Sequence, residues 1–199
     1  MMWHLKSKVY DSTLKRLADF INRYNASNLV SIADSTYNTS TFPFFTDFKL
    51  ITFIDLSFSP YLEVRLLDNG IKTLMLDGTQ NPFLEANSIS PLILTTENVY
   101  QYAMLVLGNT QKNDNSYRLV NSIDDINFST EPTKEQFQQL ESSIRRTKVI
   151  KEDDSFSIKT TLLFDDTVYK VLINVLLNGR VDIVKEKILL YNMPIRELV

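Results

Sequence analysis

Apolar positions in this chain recur at two spacings, one helical and one of strict alternation. Leu14, Leu17, Ala18, Ile21 and Tyr24 follow the helical spacing, which predicts an amphipathic helix over 13–25 with Ser12 at its N-cap. The next stretch, 25–41, is rich in Ser, Thr and Asn, and within it only 29–32 reads as a short strand. "FKLITFIDLSF" then alternates. Phe48, Leu50, Ile54, Leu56 and Phe58 share one face, while Ile51 and Phe53 make the other face apolar as well. That pattern predicts a central strand covered on both sides and interrupted at Ser59-Pro60, because proline cannot donate to an interior ladder.

Two Asn-Gly dipeptides organise the remaining alternation. In "YLEVRLLDNGIKTLML", Asn69-Gly70 as a two-residue loop sets Leu66 opposite Thr73 and Val64 opposite Met75. In "VYKVLINVLLNGRVDIV", Asn178-Gly179 stands between two β-rich runs. Both residues tolerate positive φ, which predicts a hairpin with a type I′ turn. Between these hairpins the pattern predicts a loop over 77–90 and a short strand at "PLIL". A helix capped by Thr95 or Thr96 then runs to Leu107, with Gly108 as its C′ residue. "NTQKNDNS" at 109–116 can bury almost nothing and is the candidate for a mobile loop or for one that divides two lobes. A strand over 117–123 follows, and then a surface helix in "STEPTKEQFQQLESSIRR", apolar only at Phe137, Leu140 and Ile144. Strands near 156–164, 168–177 and 180–190 close the chain, with Asp165-Asp166 and Asn178-Gly179 as turns. The fold class is therefore α+β: antiparallel sheet built from hairpins and a C-terminal three-stranded meander, with about three helices. The 199 residues suit a single domain.

Composition narrows the function classes. Hydrophobic residues make up 44% and charged residues 23% of the chain, the balance of an ordinary soluble globular protein. The net charge of −3 is spread over both signs without a basic block, which argues against a nucleic-acid surface. No polybasic segment adjoins an amphipathic helix, and no apolar run approaches the ~18 residues of a spanning helix, so membrane insertion is not expected. "MMWHLKSKVYDS" lacks the apolar core of a signal peptide, which points to the cytoplasm and leaves signal-independent export open.

The chain has no cysteine, which removes thiolate nucleophiles, disulfides and zinc–sulfur sites together. The single histidine, His4, gives a Ser-His dyad or an imidazole metal site nothing to build on. Four scattered glycines cannot form a phosphate-cradling loop. No cofactor or metal is expected. The remaining chemistry is carboxylate: Asp124-Asp125, Asp153-Asp154 and Asp165-Asp166 would make a site for a hard cation if they converged. Singly, each pair reads as a turn former beside a strand.

Three short stretches are candidates for binding. "TFPFFTDF" places Phe42, Phe44, Phe45 and Phe48 within a few residues, as core entering the central strand or as an apolar contact patch. Asn81-Pro82-Phe83 resembles the tripeptide recognised by Eps15-homology domains of eukaryotic trafficking proteins, although as local structure it starts a turn and tucks Phe83 into the core. Glu197-Leu198-Val199 has the form taken up by carboxylate-binding grooves.

"LMLDGTQNPFLEANSISPLILTTENVYQYAMLVLGNT", residues 74–110, resembles a segment of uncharacterised proteobacterial proteins. In them a Leu-Asp-Gly strand end precedes a Leu-Thr-x-x-Asn-Val-x-x-Tyr helix. The resemblance implies a bacterial origin and no assigned activity. The expected function is a non-enzymatic binding or protein-interaction module for a protein partner or an apolar small ligand, with an exported bacterial effector as a subcase. Phe42, Phe45, Asn81, Pro82 and Phe83 are its candidate contacts. The competing expectation is a carboxylate-dependent, metal-assisted hydrolase.

Overall fold

The computed structural model describes residues 11–195 apart from 114 and 145. His4 and Glu197-Leu198-Val199 lie outside the described residues. The α+β class holds, with four α-helices and antiparallel sheets among the described residues. Two compact units divide the chain: one runs to Phe42 and resumes over Asp47–Leu76, and the other takes Pro43–Thr46 and continues from Asp77.

In the first unit, helix α1 (Ser12–Tyr24) packs on a four-stranded antiparallel sheet. Its strands β1 (Ser35–Ser40), β2 (Lys49–Asp55), β3 (Leu62–Asp68) and β4 (Thr73–Met75) lie in sequence order. The N-cap of α1 is Asp11 rather than Ser12, since its carboxylate accepts from the Thr13 and Leu14 N–H groups at 2.9 and 3.4 Å. An anion there also favours the positive end of the helix dipole. Leu17, Ala18 and Ile21 are buried in one cluster with Val30, Ile51, Phe53 and Leu66.

Several expectations are corrected here. The buried face of β2 is Ile51, Phe53 and Asp55, whereas Leu50 and Ile54 are only half-buried. Leu56 and Phe58 fall beyond the strand, 65% and 38% exposed. The strand expected at 29–32 does not form, because the Asn22 side chain takes both backbone groups of Val30, accepting from its N–H and donating to its carbonyl. The β3–β4 register pairs Leu66 with Met75 and Asp68 with Thr73, a slip of two residues that keeps every side chain on its expected face. Gly70-Ile71 becomes the tip, Gly70 alone at positive φ (+87°), while Asn69 Oδ1 accepts from the Ile71 and Lys72 N–H groups.

Two buried carboxylates hold this unit together. Asp68 receives a two-pronged bond from Arg16 at 2.7 and 2.8 Å and a third from the Thr73 hydroxyl, tying α1 to the hairpin. Asp55 accepts from the Ser31 and Ser57 N–H groups and from the Ser35 and Ser57 hydroxyls. Burial pushes both carboxyls up, but these hydrogen bonds, with Arg16 beside Asp68, outweigh it and hold both below the usual carboxylate range. A depressed folded-state pKa means stability that is present above the unfolded value of ~4 and lost as pH falls through the folded values. Asp68→Asn is therefore expected to lower stability by about 2 kcal/mol at neutral pH. The deficit should shrink toward acid in urea titrations run at stepped pH.

The second unit comprises α2 (Asn81–Ile89), α3 (Val99–Gly108), β5 (Gln111–Lys112), β6 (Asn115–Ser116), β7 (Arg118–Val120) and α4 (Lys134–Ser143). The strands β8 (Lys148–Lys151), β9 (Ser155–Phe164), β10 (Thr167–Leu176) and β11 (Val181–Leu190) complete it. The main sheet runs β11-β10-β9-β7, with β8 also pairing with β9, so the expected C-terminal meander is present.

Its differences from expectation are local. The stretch 77–90 is not all loop but carries α2, whose early Pro82 costs no hydrogen bond. "PLIL" makes only a single bridge, Leu92 to Phe45. Helix α3 starts at Val99, because Asn98 closes the turn before it by accepting from the Thr95 N–H. Gly108 ends that helix without positive φ, and Asn109 is the C-cap. The strand expected over 117–123 shortens to β7, after which Ser122 caps a single 3-10 turn. Residues 109–116 belong to the second unit, where Gln111 donates to the Gly78 carbonyl at 2.8 Å and β5 pairs with β6. In α4 only Leu140 is buried, and Thr133 with Gln136 forms the capping box.

The β10–β11 turn is likewise not type I′. Leu176 donates to the Arg180 carbonyl, leaving Leu177 to Gly179 as a three-residue loop in which only Gly179 has positive φ (+90°). That is the hairpin form closed by a glycine bulge.

Candidate functional site

The residues expected from sequence to bind do not form one surface in the second unit. Phe83 and Pro82 are buried in the first turn of α2, and Asn81 is exposed. Phe45 is half-buried in an aromatic cluster, 4.9 Å from Phe44 and 6.3 Å from Tyr102, ring to ring and edge-on. Phe42 is half-buried and belongs to the first unit, where Phe48 is buried.

The aromatic cluster anchors the β10–β11 tip. Tyr102 of α3 donates to the Gly179 carbonyl at 2.8 Å and accepts from Asn87 Nδ2 at 2.9 Å. Burial pushes the Tyr102 hydroxyl up to about 12, so it stays protonated as the donor. Gln80, the N-cap of α2, brackets Val181 at the start of β11, accepting from its N–H at 3.0 Å and donating to its carbonyl at 2.7 Å. One end of the edge strand is thereby closed to further pairing.

Two of the acidic pairs stand at opposite ends of one strand. Asp153-Asp154 precedes β9 and Asp165-Asp166 follows it, so a ten-residue strand separates them, roughly 30 Å of extended chain. Asp125 caps its own turn, accepting from the Asn121 and Ser122 N–H groups. Among the described residues no group of three or more His, Asp or Glu side chains is placed to hold a metal ion.

Positive charge, by contrast, converges. In the β8–β9 register Lys148 stands opposite Lys159, and in the β9–β10 and β10–β11 registers Lys159 faces Leu172, which faces Lys185. One row on, Thr161 faces Lys170 and Lys170 faces Lys187. Partners in an antiparallel register share a face, as do residues two apart along a strand. All five lysines therefore start from one face of the sheet, within about 14 by 7 Å. All five are exposed, and none forms an ion pair with a described residue.

This is the face whose other end is covered. Leu163, Val168 and Leu190 are buried there with Leu140 of α4 and Met193, while the lysine rows lie on the open part. Arg118, opposite Leu163, is half-buried; burial pushes its guanidinium down, and it too lacks an ion pair with a described residue. The acidic groups nearby are engaged. Asp182 is 3.0 Å from Arg180, and Glu152 accepts from the Ser155 and Ser157 hydroxyls. Between Ser157 and Asp182 in the register, Asn174 keeps a buried Oδ1 without a hydrogen-bond partner.

Like charges directly opposite one another cost stability. The five start closer together than about two Debye lengths at physiological salt, so screening removes only part of the repulsion. The unpartnered Asn174 oxygen adds a second unmet cost on the same face. No family model matches the chain, and no curated protein or solved structure matches it. Among the described residues no helix is long and apolar enough to cross a membrane.

Proposed function

We propose that this chain is a non-enzymatic binding module that recognises a negatively charged partner through the open face of β8–β11. The observation that carries the reading is the two cross-strand register pairs of lysines, Lys148 with Lys159 and Lys170 with Lys187, none of them in an ion pair with a described residue, in a chain whose net charge is −3. Repulsion kept at a surface is a stability cost of the kind retained at functional sites. Asp153-Asp154 and Asp165-Asp166 stand at opposite ends of β9, which supports this reading over the hydrolase alternative.

Lys159→Glu should therefore have two opposite effects. It turns a like-charge pair into an attractive one, so the melting midpoint should rise, on the order of one degree. It should also abolish retention on an immobilised polyglutamate matrix at low salt, where the wild type is retained and then elutes as salt rises. A wild type that flows through at low salt would sink the reading.

A further inference from the structure

We infer that the partner is an acidic protein segment carrying an apolar anchor, an inference that rests on the anionic-partner reading above. The anchor site is Leu172. It lies half-buried between Lys159 and Lys185, its direct cross-strand neighbours, with Lys170 two residues away on the same face, so an apolar spot has lysines on three sides. Ile150, 38% exposed, stands on the same face opposite Ser157, one row away. An apolar centre rimmed by charge is the anatomy of a protein–protein contact.

The chemistry of the face favours a peptide over other polyanions. Beside buried Thr161, these rows hold Lys, Leu, Ile, Ser, Asn and Asp, with no aromatic side chain on which a nucleobase could stack. Its exposed cations are lysines, point charges without the planar fork that reads phosphate in two-pronged fashion. Outside the patch the chain is acidic overall, since five of its 21 Lys and Arg residues are gathered here against a net charge of −3. A long polyanion would meet repulsion wherever it left the patch, whereas a short segment would not. An extended segment needs about four residues to cross the ~14 Å width of the rows. A leucine flanked by glutamates fits that length and pattern.

The test uses fluorescence anisotropy of the full chain with four probes. They are a short peptide with one leucine between glutamates, the same peptide with that leucine replaced by glycine, single-stranded oligothymidylate, and phosphatidylcholine vesicles containing phosphatidylserine. The leucine peptide should bind about tenfold more tightly than the glycine peptide. Leu172→Thr should remove that preference, and Leu172→Met should retain it. Melting curves of both variants establish that they are folded. Equal affinity for the two peptides, or tighter binding of oligothymidylate or vesicles, would overturn the assignment of the partner and leave anionic recognition standing. Binding to none of the four probes would overturn both.

Discussion

Gly179→Val is expected to cost the protein about 3–5 kcal/mol of unfolding free energy, more than a turn substitution ordinarily costs. Two effects add. Gly179 holds φ at +90°, a region where a β-branched residue is strained. A Cβ at this position would also run into Asn87 Nδ2, the Tyr102 hydroxyl and Leu92, so the tyrosine that anchors the hairpin would be pushed off the Gly179 carbonyl. Gly70→Val supplies the comparison. It has nearly the same φ, +87°, but nothing within 4 Å of an added Cβ, so only the backbone term of roughly 1–2 kcal/mol should appear. Urea unfolding of both variants separates the contributions. Equal losses at the two glycines would mean that Tyr102 and Asn87 do not pack against the tip as described.

Phe83→Ala should be comparably damaging, at about 3–5 kcal/mol. Phe83 is fully buried in the first turn of α2, next to Pro82 and one turn from buried Ala86. Were Asn81-Pro82-Phe83 an offered recognition element, removing the ring would leave stability almost unchanged. Calorimetric unfolding decides. A drop in midpoint of roughly 6 °C or more fits a core residue, and a shift of under about a degree would return the tripeptide to the list of contacts.

What the sequence revealed follows from which interactions are local. The α+β class, α1, α4 and the closing meander were legible, because helical spacing and strict alternation are properties of neighbouring residues. Helix α2 was not, since Asn81, Pro82, Asn87 and Ser88 weaken its pattern and its support is burial of Phe83 and Ala86 in tertiary structure. Both hairpins were placed correctly but their turns were not. At 69–72 Asn69 serves as the acceptor before the tip, and at 177–179 a three-residue loop lets Gly179 dock under Tyr102. The lysine face was hidden for a similar reason. Lys148, Lys159, Lys170, Lys185 and Lys187 are spread over forty residues without a basic run, and only the strand registers bring them together. The spacing of eleven between the first three is a trace of that geometry, readable once the strand ends are known.

Titration of isotope-labelled protein with a short polyglutamate peptide, followed by amide chemical shifts at low salt, tests the central claim most directly. The account predicts that the shifts cluster at Lys148, Lys159, Lys170, Leu172, Lys185 and Lys187 and vanish in the Lys159→Glu, Lys170→Glu double variant. Shifts centred instead on the cations of the first unit, such as Lys15, Lys49 and Lys72, or none at all at any residue, would contradict it.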